Sequence, residues 1–122
     1  MLNIEKTIPL VRIFDEQKAR EYYCGWLGFQ VDWEHRFEEG TPLYMQVSLG
    51  NLTLHLSEHV GDCTPGGKVF VPCSGLREWH KSLVAKNYKY FRPGIQDAFW
   101  GGICMDLIDP FGNKLLFSDM TG

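Results

Sequence analysis

The sequence has no clustered run of Lys or Arg, no Cys-x-x-Cys pair and no apolar segment of bilayer-spanning length. Each absence removes a class of function. Nucleic acids are bound through clustered basic surface, and a chain with 12 Lys and Arg against 15 Asp and Glu, net −3, is poorly matched to phosphate. A charged ligand is expected to be a cation. The four cysteines, Cys24, Cys63, Cys73 and Cys104, are widely scattered and are expected as buried free thiols, not as a disulfide frame or a zinc knuckle. With no apolar span, and with Met1-Leu2-Asn3-Ile4-Glu5-Lys6 in place of the basic-then-apolar order of a signal peptide, a cytoplasmic protein is expected. There is also no Gly-x-Ser-x-Gly elbow, no Gly-rich phosphate loop, and no Ser, Thr or Cys with a base partner in sequence. These absences weaken an enzyme reading without closing it, because triads assemble in space.

What is present is a pattern that occurs twice. The 122 residues suffice for one domain, and 44% hydrophobic with 22% charged content is ordinary for a globular chain. An extended stretch from Ile4 to Phe14 leads into an amphipathic helix and then strands ending at Ser57. A strand at Lys68 to Cys73, a helix at Leu76 to Lys86 and a hairpin of Cys104 to Ile108 with Lys114 to Ser118 repeat the order. The expected fold is α+β, one domain over 1–122. It holds two βαβββ modules, about 1–59 and 67–122, with curved mixed sheets that pack together around a concave surface.

Local signals fill in this outline. Asp15 can cap the first helix, where Ala19, Tyr22, Tyr23, Trp26 and Leu27 recur at core spacing, and Gly28 can end it. A strand is expected from Gln30 to Phe37. Gly50-Asn51 joins Tyr44–Leu49 to Leu52–Ser57 as a tight hairpin, which puts Leu52, Leu54 and Leu56 on one face and Thr53, His55 and Ser57 on the other. In the second half, Ser74 is the expected helix cap, Leu76, Trp79, Leu83 and Val84 the apolar stripe, and Asn87 the stop. Tyr88 to Phe91 is expected as a short strand, Arg92 to Gly102 as a functional loop, and Asp109-Pro110-Phe111-Gly112-Asn113 as a tight turn.

The repeated unit, the stretch from Tyr22-Tyr23 to Leu27-Gly28-Phe29 and the Asp109-Pro110-Phe111-Gly112-Asn113 turn resemble the vicinal oxygen chelate superfamily. Within it, Trp33-Glu34-His35-Arg36-Phe37, Pro42-Leu43-Tyr44-Met45-Gln46, Leu54-His55-Leu56-Ser57-Glu58-His59 and Trp100-Gly101-Gly102 resemble the glyoxalase/bleomycin resistance proteins. The resemblance spans nearly the whole chain. It implies a homodimer that sequesters a bleomycin-like cationic glycopeptide in clefts at the subunit interface, with no chemical turnover and no cofactor.

Metal-dependent enzymes of the superfamily place His or Glu on the inward faces of four strands. By spacing, the corresponding positions here fall at about Ile8, at His55, near Lys68 and at Leu116. Only His55 can donate to a metal, and one imidazole does not make a site. The rival reading, a glyoxalase-like lyase or dioxygenase, would rest on His55 alone.

Without a metal, the expected cleft is an apolar hollow rimmed by aromatics, suited to a large flat ligand. Trp33, His35 and Phe37 alternate along one strand and so share a face, and Trp100 lies in a loop that Gly101 and Gly102 allow to come close. The expected ligand-binding residues are Trp33, His35, Phe37, His55, His59, Asp62, Trp100, Gly101 and Gly102. Glu34, Glu38, Glu39, Asp62 and Asp97 are expected around the openings, where they would favour a cation.

Overall fold

The computed structural model describes all residues, 1–122. The first module runs β1 (Leu10–Arg12), α1 (Glu16–Ala19), a π-helical segment (Arg20–Trp26), β2 (Gln30–His35), β3 (Tyr44–Leu49) and β4 (Leu52–Ser57). The second runs β5 (Lys68–Pro72), α2 (Leu76–Ala85), β6 (Ile95–Asp97), β7 (Ile103–Ile108) and β8 (Lys114–Asp119). Each forms a four-stranded mixed sheet, in the orders β1-β4-β3-β2 and β5-β8-β7-β6, so the two halves share one topology. In both, the first strand pairs parallel with the last and the other pairings are antiparallel.

One core serves both modules. Val11, Met45, Val47, Leu54 and Leu56 from the first sheet join Met105, Leu107, Leu115 and Phe117 from the second, with Tyr22, Tyr23, Trp26, Leu27, Leu76 and Leu83 packed among them. The expected stripe of the first helix is therefore fully buried. Its backbone, however, widens into π turns after Ala19, with Leu27 N–H bonded to the Tyr22 carbonyl. The wide turns accompany close ring packing, Tyr22 against Tyr23 at 4.9 Å and against Trp26 at 5.5 Å.

A buried polar knot ties the modules. The Tyr23 hydroxyl donates to Asp109 Oδ2 at 2.6 Å, and Asn113 Nδ2 donates to the Arg12 carbonyl at 2.7 Å. Asp109 Oδ1 also accepts from the backbone N–H groups of Phe111 and Asn113, both at 2.8 Å, which shapes the expected turn.

Several expectations at the level of elements are corrected. Within Ile4–Phe14 only Leu10–Arg12 is strand. The strand expected to reach Phe37 ends at His35. Tyr88–Phe91 is not a strand, because Tyr88 stacks on Trp26 at 4.7 Å and Phe91 meets the same indole at 6.2 Å, so these rings plug the core instead of pairing. The strand of that region, β6, lies further on, inside the expected loop. Helix α2 is capped by Gly75 at φ 75°, not by Ser74, and the Leu76 N–H is taken by Asp119 Oδ2 at 3.1 Å. Val84 faces solvent, and of the four free cysteines only Cys104 is fully buried. Asn87, at φ 55°, does stop the helix as expected.

Candidate binding site

Strand alternation leaves each sheet with one face on the core and one face open. In the first sheet the register aligns Leu10, His55, Gln46 and Trp33 across all four strands, and beside them Arg12, Ser57, Tyr44 and His35. A register shift between Val31 and Trp33 bulges β2 at Asp32. Trp33 lies parallel to Tyr44 at 6.0 Å, and His55 stands edge-on to both, at 5.3 and 5.2 Å. The row of rings continues, with Tyr44 to His59 at 6.3 Å, His59 to Phe37 at 6.2 Å and Phe37 to His35 at 5.0 Å. Trp33 is 44% and Phe37 75% exposed, so this aromatic surface is uncovered in the single chain.

His55 is tied at both nitrogens. Nδ1 lies 2.6 Å from the Tyr44 hydroxyl and Nε2 2.9 Å from Gln46 Oε1. Partial burial lowers its pKa, which favours the neutral ring. Burial raises the pKa of Tyr44 above the ordinary phenol value, so it too stays neutral. At the other end of the face, the Ser57 hydroxyl donates to Asp62 Oδ2 at 2.6 Å and accepts from the His59 N–H at 3.0 Å.

The second sheet presents a different surface. Phe70 pairs with Leu116 and, on the next row, Ser118 pairs with Cys104, all on the face away from the core. The Trp100 indole N–H donates to Ser118 Oγ at 2.9 Å, which lays the ring over the sheet against Phe70 at 5.7 Å. Phe99, 97% exposed, meets Trp100 edge-on at 4.7 Å. Gly102, at φ 67°, leaves no room for a side chain, since a Cβ would strike the Asp119 carbonyl and Met120 backbone. That contact holds the Trp100 loop against the end of β8 and accounts for the glycine by packing. A groove of about 790 Å³, lined in part by Leu49, Leu52, Phe70, Cys73, Trp79 and Phe117, continues from this face toward the β3–β4 turn. Another, of about 700 Å³, lies between the first helix and Tyr88–Phe91 and contains none of the expected site residues.

The residues at the chelating positions do not fit a metal. The register sets Leu10 opposite His55 and Phe70 opposite Leu116, each two residues on from the positions reached by spacing, about Ile8 and near Lys68. Beside His55 one set has Ile8, Lys68 and Leu116 and the other Leu10, Phe70 and Leu116, none of which donates to a metal, and both nitrogens of the single imidazole already have partners. Nowhere do three or more His, Cys, Asp or Glu side chains come together to hold an ion.

The structure brings Trp33, His35, Phe37, His55, His59 and Asp62 to one face, and Trp100, Gly101 and Gly102 to the other. No ring contact, hydrogen bond or strand pairing joins the two groups. Glu34 is not at the opening. It lies on the opposite side of β2 from Trp33, paired with Arg20 at 3.0 Å, as alternation requires. Tyr44, Gln46, Asp32, Phe70 and Phe99 belong to these faces and were not expected there. Tyr44 and Gln46 could have been found by running the hairpin register from His55 across Gly50-Asn51. Asp32 could not, because the bulge that turns it has no signature in the sequence.

Comparison with known proteins completes the picture. No curated protein sequence matches the chain. Among solved structures, a bleomycin-binding protein complexed with bleomycin superposes with a TM-score of 0.71 at 21% identity, covering 95% of this chain and 98% of that one. The bleomycin-binding protein of bleomycin-producing Streptomyces verticillus, complexed with copper(II)-bleomycin, gives 0.70 at 20% identity, with 98% of each chain covered. TnmS3, an antibiotic-binding protein from a Streptomyces species, gives 0.75 at 16% identity over 98% and 99%. At these identities the likeness is one of fold. The family described as glyoxalase superfamily protein matches residues 1–122, the whole chain, and the chain, with its paired βαβββ modules, belongs to the glyoxalase superfamily.

Proposed function

We propose that the protein sequesters a bleomycin-type cationic glycopeptide by stoichiometric binding and does not turn it over. The observation that carries this reading is the pair of uncovered aromatic faces, on which His55 is engaged at both nitrogens and no three His, Cys, Asp or Glu side chains form a chelating set. Such faces suit a flat heteroaromatic body by stacking, with Asp62 and its neighbours favouring a cationic group. The bleomycin and copper(II)-bleomycin bound to two proteins of like fold support the ligand class.

A single chain keeps the two faces apart, so the reading includes a homodimer. In it, Trp33, His35, Phe37, Tyr44, His55, His59 and Asp62 of one protomer close a cleft with Phe70, Trp100, Gly101 and Gly102 of the other. Protection works by mass action, which requires roughly micromolar affinity or better, about −8 kcal/mol. Calorimetric titration with metal-free and copper-loaded bleomycin, with sedimentation of the free protein, tests both parts. A monomer that binds neither form would end the proposal. A transition metal co-purifying in equimolar amount would instead favour the lyase or dioxygenase built on His55.

A further inference from the structure

A chain of four side chains crosses the open face of the first sheet. Tyr44 Oη meets His55 Nδ1 at 2.6 Å, His55 Nε2 meets Gln46 Oε1 at 2.9 Å, and Gln46 Nε2 meets Asp32 Oδ2 at 3.0 Å. We propose that Asp32 sets the direction of this whole relay, so that Tyr44 offers the ligand a hydrogen-bond acceptor and the site selects a group bearing N–H or O–H at that point. For the ligand's identity the inference rests on the binding function proposed above. The relay itself does not.

Donor and acceptor capacity, with the part-buried His55 ring neutral, fixes the order of protons along the chain. An ionised carboxylate only accepts, so Gln46 must turn its NH2 toward Asp32 and its carbonyl toward His55. A carbonyl cannot donate, so His55 must carry its proton on Nε2. The neutral ring then has a bare Nδ1, and Tyr44 must donate its proton there. What Tyr44 has left for the cleft is lone pairs. The carboxylate is anchored independently of Gln46, since Oδ1 accepts from Ser48 Oγ at 3.0 Å and Gln30 Nε2 at 3.1 Å. It also has no ion-pair partner, whereas Glu16, Glu34, Glu58 and Asp106 are each paired with Arg or Lys. Asp32 is thus a positioning residue that acts through Gln46 and His55, and the β2 bulge brings it to this face.

Nitrogen-15 spectra of the histidine rings test the relay without any drug. The native protein should show His55 as the neutral Nε2–H tautomer. In Asp32→Asn, Gln30 and Ser48 hold the remaining oxygen, the new amide N–H faces Gln46, and the relay should reverse to the Nδ1–H tautomer. Gln46→Met cuts the relay and leaves the Asp32 charge in place, so His55 should lose its single tautomer. Affinity for metal-free bleomycin should fall about tenfold or more in both variants, since each loses the ordered acceptor at Tyr44. An Nδ1–H ring in the native protein, or an unchanged tautomer in folded Asp32→Asn, would overturn the relay. Gln46→Met binding bleomycin as tightly as the native protein would overturn its role in selection. Failure of the native protein to bind bleomycin would strike the proposed function and leave the tautomer result standing.

Discussion

The two open faces come from modules with the same strand order, yet they carry different chemistry. The first sheet shows Trp33, Tyr44, His35 and His55 backed by the side-chain relay to Asp32. The second shows Phe70 and the Trp100 indole, with Leu116 and Cys104 buried on the same side, hydrogen bonds at Ser118 and Asp106 and a Lys68–Asp106 ion pair. On the core side the halves are alike in kind, apolar side chains in one shared cluster. The repeat therefore sets the packing. What it leaves free is the outward face of each sheet, where the first module carries a relay of side-chain hydrogen bonds among its rings and the second sets Phe70 and Trp100 beside Ser118 and the Lys68–Asp106 ion pair.

That division separates residues that hold the fold from residues proposed to face a ligand, and substitutions can break it. The largest effect is expected for Trp26→Ala. Its indole is 3% exposed, stacks on Tyr88 at 4.7 Å and donates to the Leu83 carbonyl at 3.0 Å, so removal should cost about 3–5 kcal/mol in denaturant unfolding. Asp109→Ala comes next. It strands the Tyr23 hydroxyl and two backbone N–H groups between the modules, and about 2–4 kcal/mol of stability should be lost in the same measurement. Trp100→Ala should behave in the opposite way, leaving the melting temperature nearly unchanged while weakening bleomycin binding by about 2 kcal/mol, roughly 30-fold. If Trp100→Ala binds like the native protein, the second face has been misassigned. The smallest effect is expected for Tyr22→Phe. The Tyr22 hydroxyl is buried with no partner, so its removal should stabilise the fold by about 1 kcal/mol or less.

The fold was largely legible because its signals are local and periodic. The spacing of Ala19, Tyr22, Tyr23, Trp26 and Leu27 marked a buried helix face, and Gly50-Asn51 fixed a hairpin whose register the structure keeps. What was not legible depends on tertiary choice. Tyr88–Phe91 reads as a strand by composition, but Trp26 needed aromatic cover, and the chain supplies it there. Ser74 is a good cap in isolation, yet Asp119 reaches across from β8 and takes the first free N–H. The candidate site was legible along single strands, as with Trp33 and His35, and illegible across them. Counting residues could not say that Leu10 and Phe70 stand opposite His55 and Leu116, nor that a bulge would bring Asp32 to the face.

The central claim is that these two faces close on a drug and hold it unchanged. Titration of the native protein with metal-free bleomycin in a calorimeter tests it most directly. The account predicts saturable, equimolar binding with a dissociation constant in the micromolar range or below, and intact bleomycin recovered afterwards. Absence of saturable heat, or recovery of the drug in altered form, would contradict it.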